Sequence, residues 1–330
     1  MAVTMADISK LRTMTGAGMM DCKKALTESE GDFEKAVEII RKKGQAIAAK
    51  RSDREASEGC VLAAAKDGFA AALALKCETD FVASNADFIA LTQQILDKAV
   101  ELKPANIDEL LNAKIGDSTI QQLITDRSGI TGEKMELGMY EFVNGESTYA
   151  YIHPGNRLAS IVAFNKSGLD VQVYKDVAMQ VAAMAPVAVD EASVPAEVIE
   201  REKEVAIEKT KQDQVAKAVE VALKKAGINP AHVDSEDHIE SNMAKGWLTA
   251  EDAAKARQIK EQVAAEKSAN LPAQMIENIV KGRIAKFFKE STLLEQPFVK
   301  DQKISVSQYL ESVAKGLTAT SFKRVTLNQE

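Results

Sequence analysis

Asp80 and Phe81 place an acid and a large aromatic side by side, a pairing whose types could serve recognition of a partner rather than bond making. A carboxylate offers a charge to pair, and a phenyl ring offers apolar surface to bury. They stand in Lys76-Cys77-Glu78-Thr79-Asp80-Phe81-Val82-Ala83-Ser84, directly after the apolar run Phe69–Leu75. That run reads as a buried strand. Ser84-Asn85-Ala86-Asp87 fits a capping box, and Phe88, Ile89, Leu91 and Ile95 can share one face of the helix behind it. Asp80 and Phe81 are therefore expected on a surface loop between strand and helix. A phenylalanine there either folds back into the core, the commoner outcome, or is held outward for a partner. Spacing alone leaves both open.

Residue types that carry covalent or metal chemistry are present but not assembled. His153, His232 and His238 fall in no HExxH pattern or metal-spaced cluster. No GxSxG, Walker A or GxGxxG occurs, and Thr15-Gly16-Ala17-Gly18 lacks the length and lysine of a phosphate loop. Acids are abundant, yet no pair is marked by its surroundings as a general acid and base. An acid–base enzyme has only that abundance in its favour. Cys22, Cys60 and Cys77 are scattered and read as small buried hydrophobes; an odd, low count suits a reducing cytoplasm, the expected compartment. His153, just before Pro154-Gly155, is expected at an exposed hairpin tip with no special role of its own. The expectation is a protein that is not an enzyme and uses no cofactor or bound metal.

The chain has 330 residues, 45% hydrophobic and 28% charged, enough for a sizeable core and two or three modules. Its longest apolar run, Phe69–Leu75, is seven residues, well short of the roughly 20 of a membrane-spanning helix. The net charge of −7 argues against a general nucleic-acid binder, whose affinity rests on neutralising phosphates. Residues 1–54 hold 11 Lys and Arg against 8 Asp and Glu, a balance of +3, so the remainder carries −10. Such a head suits a protein partner with an acidic patch; a solvated helix face explains the same charges.

Three short helices are expected in that head. Thr4-Met5-Ala6-Asp7 fits a capping box before Ile8 and Leu11, Thr15–Gly18 breaks the chain, and Met19–Glu30 resumes helical spacing with Cys22, Ala25 and Leu26 on one side. Gly31 ends that helix, and Asp32 can cap the next, with its stripe of Phe33, Ala36, Val37 and Ile40. The basic stretch from Arg41 to Arg54 reads as a helix end or linker. In the core, Asp67-Gly68 between two apolar runs signals a hairpin with a type I′ turn, and a helix follows at about 85–100. Residues 104–137 read as shorter helices and loops. A similar hairpin-then-helix unit recurs after Asn144-Gly145: Ser147–His153, Leu158–Phe164, then a helix at about 171–185. There Asn165-Lys166-Ser167-Gly168 stands where the first unit has Thr79-Asp80-Phe81-Val82, so Phe81 is less needed for folding. Residues 195–290 are nearly all helical. Ser305–Lys315 reads as a helix, and strand-like Ser321–Leu327 could join the second sheet. The domain expectation is a head at 1–54, a first core subdomain at 55–140 and a second at 141–330, interrupted by a helical hairpin or insert at about 195–290.

Four segments, in order, resemble the bacterial translation elongation factor Ts family: Leu11 to Leu26, Cys77 to Ala83, Tyr151 to Arg157, and Ile279 to Val299. The resemblance implies an α+β fold: a three-helix ubiquitin-associated-like head, two related α+β subdomains with antiparallel sheet, and a helical hairpin from the second. It implies guanine-nucleotide exchange on elongation factor Tu, met GDP-bound and nucleotide-free, with no direct contact to nucleic acid or membrane. Asp80 and Phe81, flanked by Thr79 and Val82, would be a wedge into the GTPase domain that disturbs its Mg²⁺ and phosphate site. Arg12, Met19, Met20 and Lys23 would seat the head on that domain, and His153 would meet its phosphate side. One departure is an extra segment of about 60 residues, roughly 205–265. It could lengthen the hairpin, make a helical subdomain or mediate a homodimer; a tolerated surface insertion is the plainer alternative. The competing functional reading is a helical adaptor whose head binds ubiquitin-like or nascent-chain partners, and it leaves Asp80-Phe81 without a role.

Overall fold

The computed structural model describes residues 3–328. The chain opens with α1 (Met5–Thr15), α2 (Met19–Glu28) and α3 (Phe33–Lys50). Local chemistry sets their limits. Thr4 and Asp7 close a capping box on α1, Gly16 ends it at φ 70°, and Asp32 accepts hydrogen bonds from the N–H groups of Glu34 and Lys35 at the start of α3. Ile8, Leu11, Cys22, Ala25, Leu26 and Ala36 form a small core. The basic stretch continues α3 as far as Lys50.

Strands β1 (Glu58–Lys66) and β2 (Phe69–Cys77) pair antiparallel around Asp67-Gly68, whose φ values of 50° and 72° are the two positive angles that a type I′ turn requires. The chain continues through α4 (Asp80–Ala83), α5 (Ala86–Leu102), α6 (Ile107–Asn112), the short hairpin β3 (Lys114–Ile115) and β4 (Ser118–Thr119), α7 (Ile120–Thr131) and β5 (Glu136–Asn144). The sheet order is β1-β2-β5, so β2 is central. Its Phe69, Leu73 and Leu75 pack with Phe88, Ile95 and Leu96 of α5 and Ile124 of α7. Its Ala70, Ala72 and Ala74 pack on the opposite face. Coverage of both faces explains why the run Phe69–Leu75 shows no polar alternation.

The second half holds β6 (Ser147–Ile152), β7 (Leu158–Phe164) and α8 (Val171–Met184). The chain then runs through α9 (Ala196–Lys225), α10 (Glu236–Ala244), α11 (Ala250–Ala269) and α12 (Ala273–Ser291), and continues with the hairpin β8 (Pro297–Phe298) and β9 (Asp301–Ser305), α13 (Val306–Val313) and β10 (Ala319–Thr326). The last strand does join the second sheet, whose order is β10-β7-β6. The two halves repeat one topology more fully than hairpin-then-helix: β3-β4-α7-β5 matches β8-β9-α13-β10. Capping boxes open both matched helices, Thr119 with Gln122 on α7 and Ser305 with Gln308 on α13. In each half the third strand pairs antiparallel with the second strand of the hairpin. Ala159, Ile161 and Ala163 of β7 face the β2 alanines, so the sheets meet through a layer of small side chains.

Several details differ from expectation. Asn85, not Ser84, caps α5, accepting from the N–H groups of Asp87 and Phe88. Residue 140, the expected end of the first core subdomain, lies inside β5, whose pairing with β2 no local pattern announced.

Residues Asp190–Glu295 form a compact unit separate from the rest. Leu223 at the end of α9, Ile228, Val233, Ile239 on α10, Leu248, and Ala253 and Ala256 on α11 build its own small apolar core. The stripe Met275, Ile279 and Phe287 lies on α12, which packs along α9 but has no fully buried residue. Arg283 of α12 pairs with Asp213 of α9.

Candidate partner-binding site

Thr79 starts the site. Its side-chain oxygen accepts from the Val82 N–H at 3.4 Å, and the chain from Asp80 to Ala83 makes one helical turn, α4, rather than the expected loop. Successive side chains on a helical turn point about 100° apart. Val82 and Ala83 therefore pack against the first core cluster while Asp80 and Phe81 project. Phe81 is 84% exposed. The core's aromatic position on this side is taken by Phe88, 1% exposed, so nothing draws Phe81 inward. Of the two orientations that spacing allows, the molecule has the outward one.

The turn is fastened at its base by groups that no local motif revealed. Gly132 ends α7 at φ 74°, and Glu133 follows. Oε2 of Glu133 accepts from the N–H groups of Glu78 and Thr79, each at 3.1 Å, and its Oε1 accepts from the Thr79 hydroxyl at 2.6 Å. In return, Oε1 of Glu78 accepts from the Lys134 N–H at 2.7 Å. Oε2 of Glu78 lies 2.9 Å from the Arg54 guanidinium and 3.9 Å from that of Arg51. The Lys134 N–H foremost, then Arg54 and Arg51, hold the Glu78 carboxyl below its ordinary range against a smaller effect of burial. Buried Cys77 donates to the Thr79 carbonyl at 3.2 Å; burial first, then the Glu133 charge, push its thiol up to about 12, so it stays protonated.

The remaining expected residues sit on other elements. Arg12 is in the last turn of α1, and Met19 and Lys23 lie one turn apart on α2 beside Met20; all four are exposed. Met14 of α1 is also exposed, 59%, and was not singled out from the sequence. His153 is exposed at the turn between β6 and β7, with its N–H donating to the Leu158 carbonyl at 2.8 Å and its Nδ1 3.1 Å from the Tyr151 hydroxyl. The structure thus brings Thr79, Asp80, Phe81 and Val82 together on one turn, gathers Arg12, Met19, Met20 and Lys23 in the three-helix head, and puts His153 on a third element.

Head and core are joined where α3 crosses α7. A methyl group added to Gly129 would lie 2.2 Å from the Cα of Gly44, so only glycine fits at this crossing. Beside it Arg41 pairs with Asp126 at 3.5 Å and donates to the Ser118 hydroxyl at 3.3 Å. Burial raises the Asp126 carboxyl above its ordinary range, with Arg41 opposing. A cleft of about 590 Å³ opens between the head and helices α5 and α7, lined by Lys24, Ile40, Leu91, Gln94 and Ile130 among others. Among the described residues, no group of His, Cys, Asp and Glu is placed to hold a metal ion, and no helix is long and apolar enough to cross a membrane.

Comparison with known proteins agrees with this architecture. The family model described as Elongation factor TS matches residues 78–219 and 205–329. The chain is 62% identical to the elongation factor Ts of Bacteroides fragilis and 62% identical to that of Parabacteroides distasonis, in each case over 331 residues covering all of both chains. It is 49% identical to the elongation factor Ts of Porphyromonas gingivalis over the same span. The chain belongs to the elongation factor Ts family.

Proposed function

We propose that this chain is a guanine-nucleotide exchange factor for elongation factor Tu, acting during translation elongation. It binds the GDP complex, promotes GDP release by pressing Asp80 and Phe81 into the GTPase domain, and leaves when GTP loads. One observation carries the reading: an aromatic ring stands outward on a turn whose backbone and whose Thr79, Val82 and Ala83 side chains are anchored. A ring whose backbone is already fixed loses only its own side-chain torsions on being buried, so more of its hydrophobic gain is retained.

Magnitudes show what else must take part. Burying Phe81 supplies roughly 2–3 kcal/mol. Each decade of acceleration requires roughly 1.4 kcal/mol. Acceleration by several decades therefore draws on a wider interface, and Arg12, Met19, Met20 and Lys23 of the head, with His153, are its other parts. Weakening of GDP by the factor is matched by equal weakening of the factor by GDP, which lets one molecule serve many partners in turn. The work is done by binding energy, so no general acid, base or nucleophile is needed.

The test is release of a fluorescent GDP analogue from purified elongation factor Tu. Sub-stoichiometric amounts of the chain speed release strongly if the proposal holds. A release rate that stays at its spontaneous value across added concentrations overturns it.

A further inference from the structure

We infer that Glu133 is a positioning residue for the Asp80-Phe81 turn, locking it through the paired carboxylates of Glu133 and Glu78 and linking it to the head. The inference rests on the proposed wedge role of Phe81.

The bonding pattern is reciprocal. Glu133 takes three donors from residues 78 and 79, and Glu78 takes the N–H of residue 134. Two segments 54 residues apart in sequence are each held by the other's side chain, which fixes both separation and rotation. Glu78 and Thr79 lie just past the end of β2 and before α4, where their N–H groups have no place in either ladder or helix. Glu133 supplies the acceptor that these half-buried groups otherwise lack. Thr79 relays the hold directly, since the hydroxyl that donates to Glu133 also accepts from Val82.

The second half of the molecule provides an internal comparison. At the matching place, Asn165 after β7 donates to the Gly316 carbonyl at 2.8 Å and accepts from the Thr318 N–H at 2.9 Å. The tie between the end of the second strand and the segment before the third is thus common to both halves. In the second half a neutral amide makes it, with the Lys166 ammonium donating to the Lys315 carbonyl beside it, and no exposed ring follows. In the first half two carboxylates make it, reinforced by Arg54 and Arg51 from beyond α3. The tie that clamps both segments reciprocally through carboxylates occurs where an aromatic ring is held in solvent. It is also attached to the head twice: through those arginines, and through α7, which crosses α3 at Gly129 and presents Glu133 just past Gly132.

Glu133→Gln keeps the side chain's size but removes its charge, and its NH2 either faces the two N–H groups or reverses the bond to the Thr79 hydroxyl, which then loses the acceptor for its proton. A looser turn presents Phe81 correctly for a smaller fraction of the time, and apparent affinity falls by that fraction while the bound state is unchanged. The experiment measures fluorescent GDP release from elongation factor Tu against factor concentration for the full chain, Glu133→Gln, Phe81→Ala and the double variant. Glu133→Gln is expected to raise the half-saturating concentration about tenfold with a maximal rate within about twofold of the parent. In the Phe81→Ala background it is expected to add less than about a twofold effect, because it acts through the missing ring. Amide exchange at Glu78 and Thr79 is expected to quicken in Glu133→Gln, and in Thr79→Val if the first variant folds poorly. Unchanged exchange of those two amides, or an equal loss in both backgrounds, overturns the inference. Slow release with Phe81→Ala but parental behaviour with Glu133→Gln rejects the positioning role alone. Parental release with Phe81→Ala rejects the wedge and the positioning role with it.

Discussion

Adding one methyl group at Gly129 is expected to loosen the head from the core. In an unobstructed helix interior, Gly→Ala stabilises by roughly 0.8–1 kcal/mol because the unfolded chain loses freedom. Here the added carbon would lie 2.2 Å from the Cα of Gly44, 3.0 Å from its carbonyl carbon and 3.1 Å from its oxygen. All three are backbone atoms, and no rotamer change can move them aside. Ordinary contact begins at 3.4 Å, so α3 and α7 must part by at least 1.2 Å (3.4 − 2.2) at the crossing. Overpacking of this kind costs about 1–3 kcal/mol, which offsets the propensity gain and leaves a net loss of up to about 2 kcal/mol. The Arg41 bonds to Asp126 and Ser118, beside the crossing, stretch with it. Gly282 in α12 is the control, since nothing lies within 4 Å of a methyl group there. Gly282→Ala is expected to stabilise its helix by about 0.5–1 kcal/mol. Amide hydrogen exchange reads α3 and α12 separately, which avoids assuming one cooperative transition for a chain with two compact units. Faster exchange through α3 in Gly129→Ala, and slower exchange through α12 in Gly282→Ala, is the expected pair. Protection of α3 at or above the parental level in Gly129→Ala would refute the steric argument.

Phe81→Ala is expected to lower the exchange rate at a given factor concentration by about 30- to 150-fold, the equivalent of roughly 2–3 kcal/mol of lost burial. Its unfolding midpoint should stay at the parental value, because the ring supports nothing within its own chain; a destabilised but fully active variant would contradict both halves of that statement. The Glu78 carboxyl, held below its ordinary value, contributes stability that is present above about pH 4.3 and disappears as pH falls through the lower folded value. Glu78→Gln should therefore be less stable than the parent at pH 7 and lose less on acidification, and parallel urea curves at pH 7 and pH 3 that keep a constant gap would refute this. Burial pushes the Cys60 thiol up to about 11 and that of Cys77 up to about 12, so neither should react with a thiol reagent at pH 8 until the chain is unfolded. Fast labelling of either in the native protein would count against their buried placement.

The parts of this fold that could be read from sequence are those set by neighbours in the chain. Thr4 with Asp7 and Asp32 with the amides of residues 34 and 35 are contacts across three residues or fewer, and Asp67-Gly68 is a two-residue turn. The direction of Phe81 was not legible, because it depends on the Thr79 cap and on Phe88 already filling the core. The pairing of β5 with β2 escaped for a related reason: a partner strand about 70 residues away leaves no local signature. Glu133 was invisible as a member of the site, since a glutamate after a helix-ending glycine resembles any solvated acid until Thr79 is brought to it. Gly44 and Gly129 likewise look like weak points in helical patterns, and only the crossing of α3 over α7 explains them. Arg12, Met19, Met20, Lys23 and His153 came forward through family resemblance, because exposure and charge alone do not distinguish them from other surface residues.

The layer of small side chains between the two sheets bears on how force would travel through the molecule. Ala70, Ala72 and Ala74 of one sheet meet Ala159, Ile161 and Ala163 of the other, with Val61, Val143 and Val325 in the same layer. Alanine methyl groups have no side-chain torsions to reorganise, β-branched Val and Ile have few, and closely packed interiors yield little under load. Such a layer resists shear between the two sheets. Under the proposed wedge, a turn that displaces structure in another protein gains from a mounting that does not bend, and a layer of short side chains leaves that mounting little that can flex.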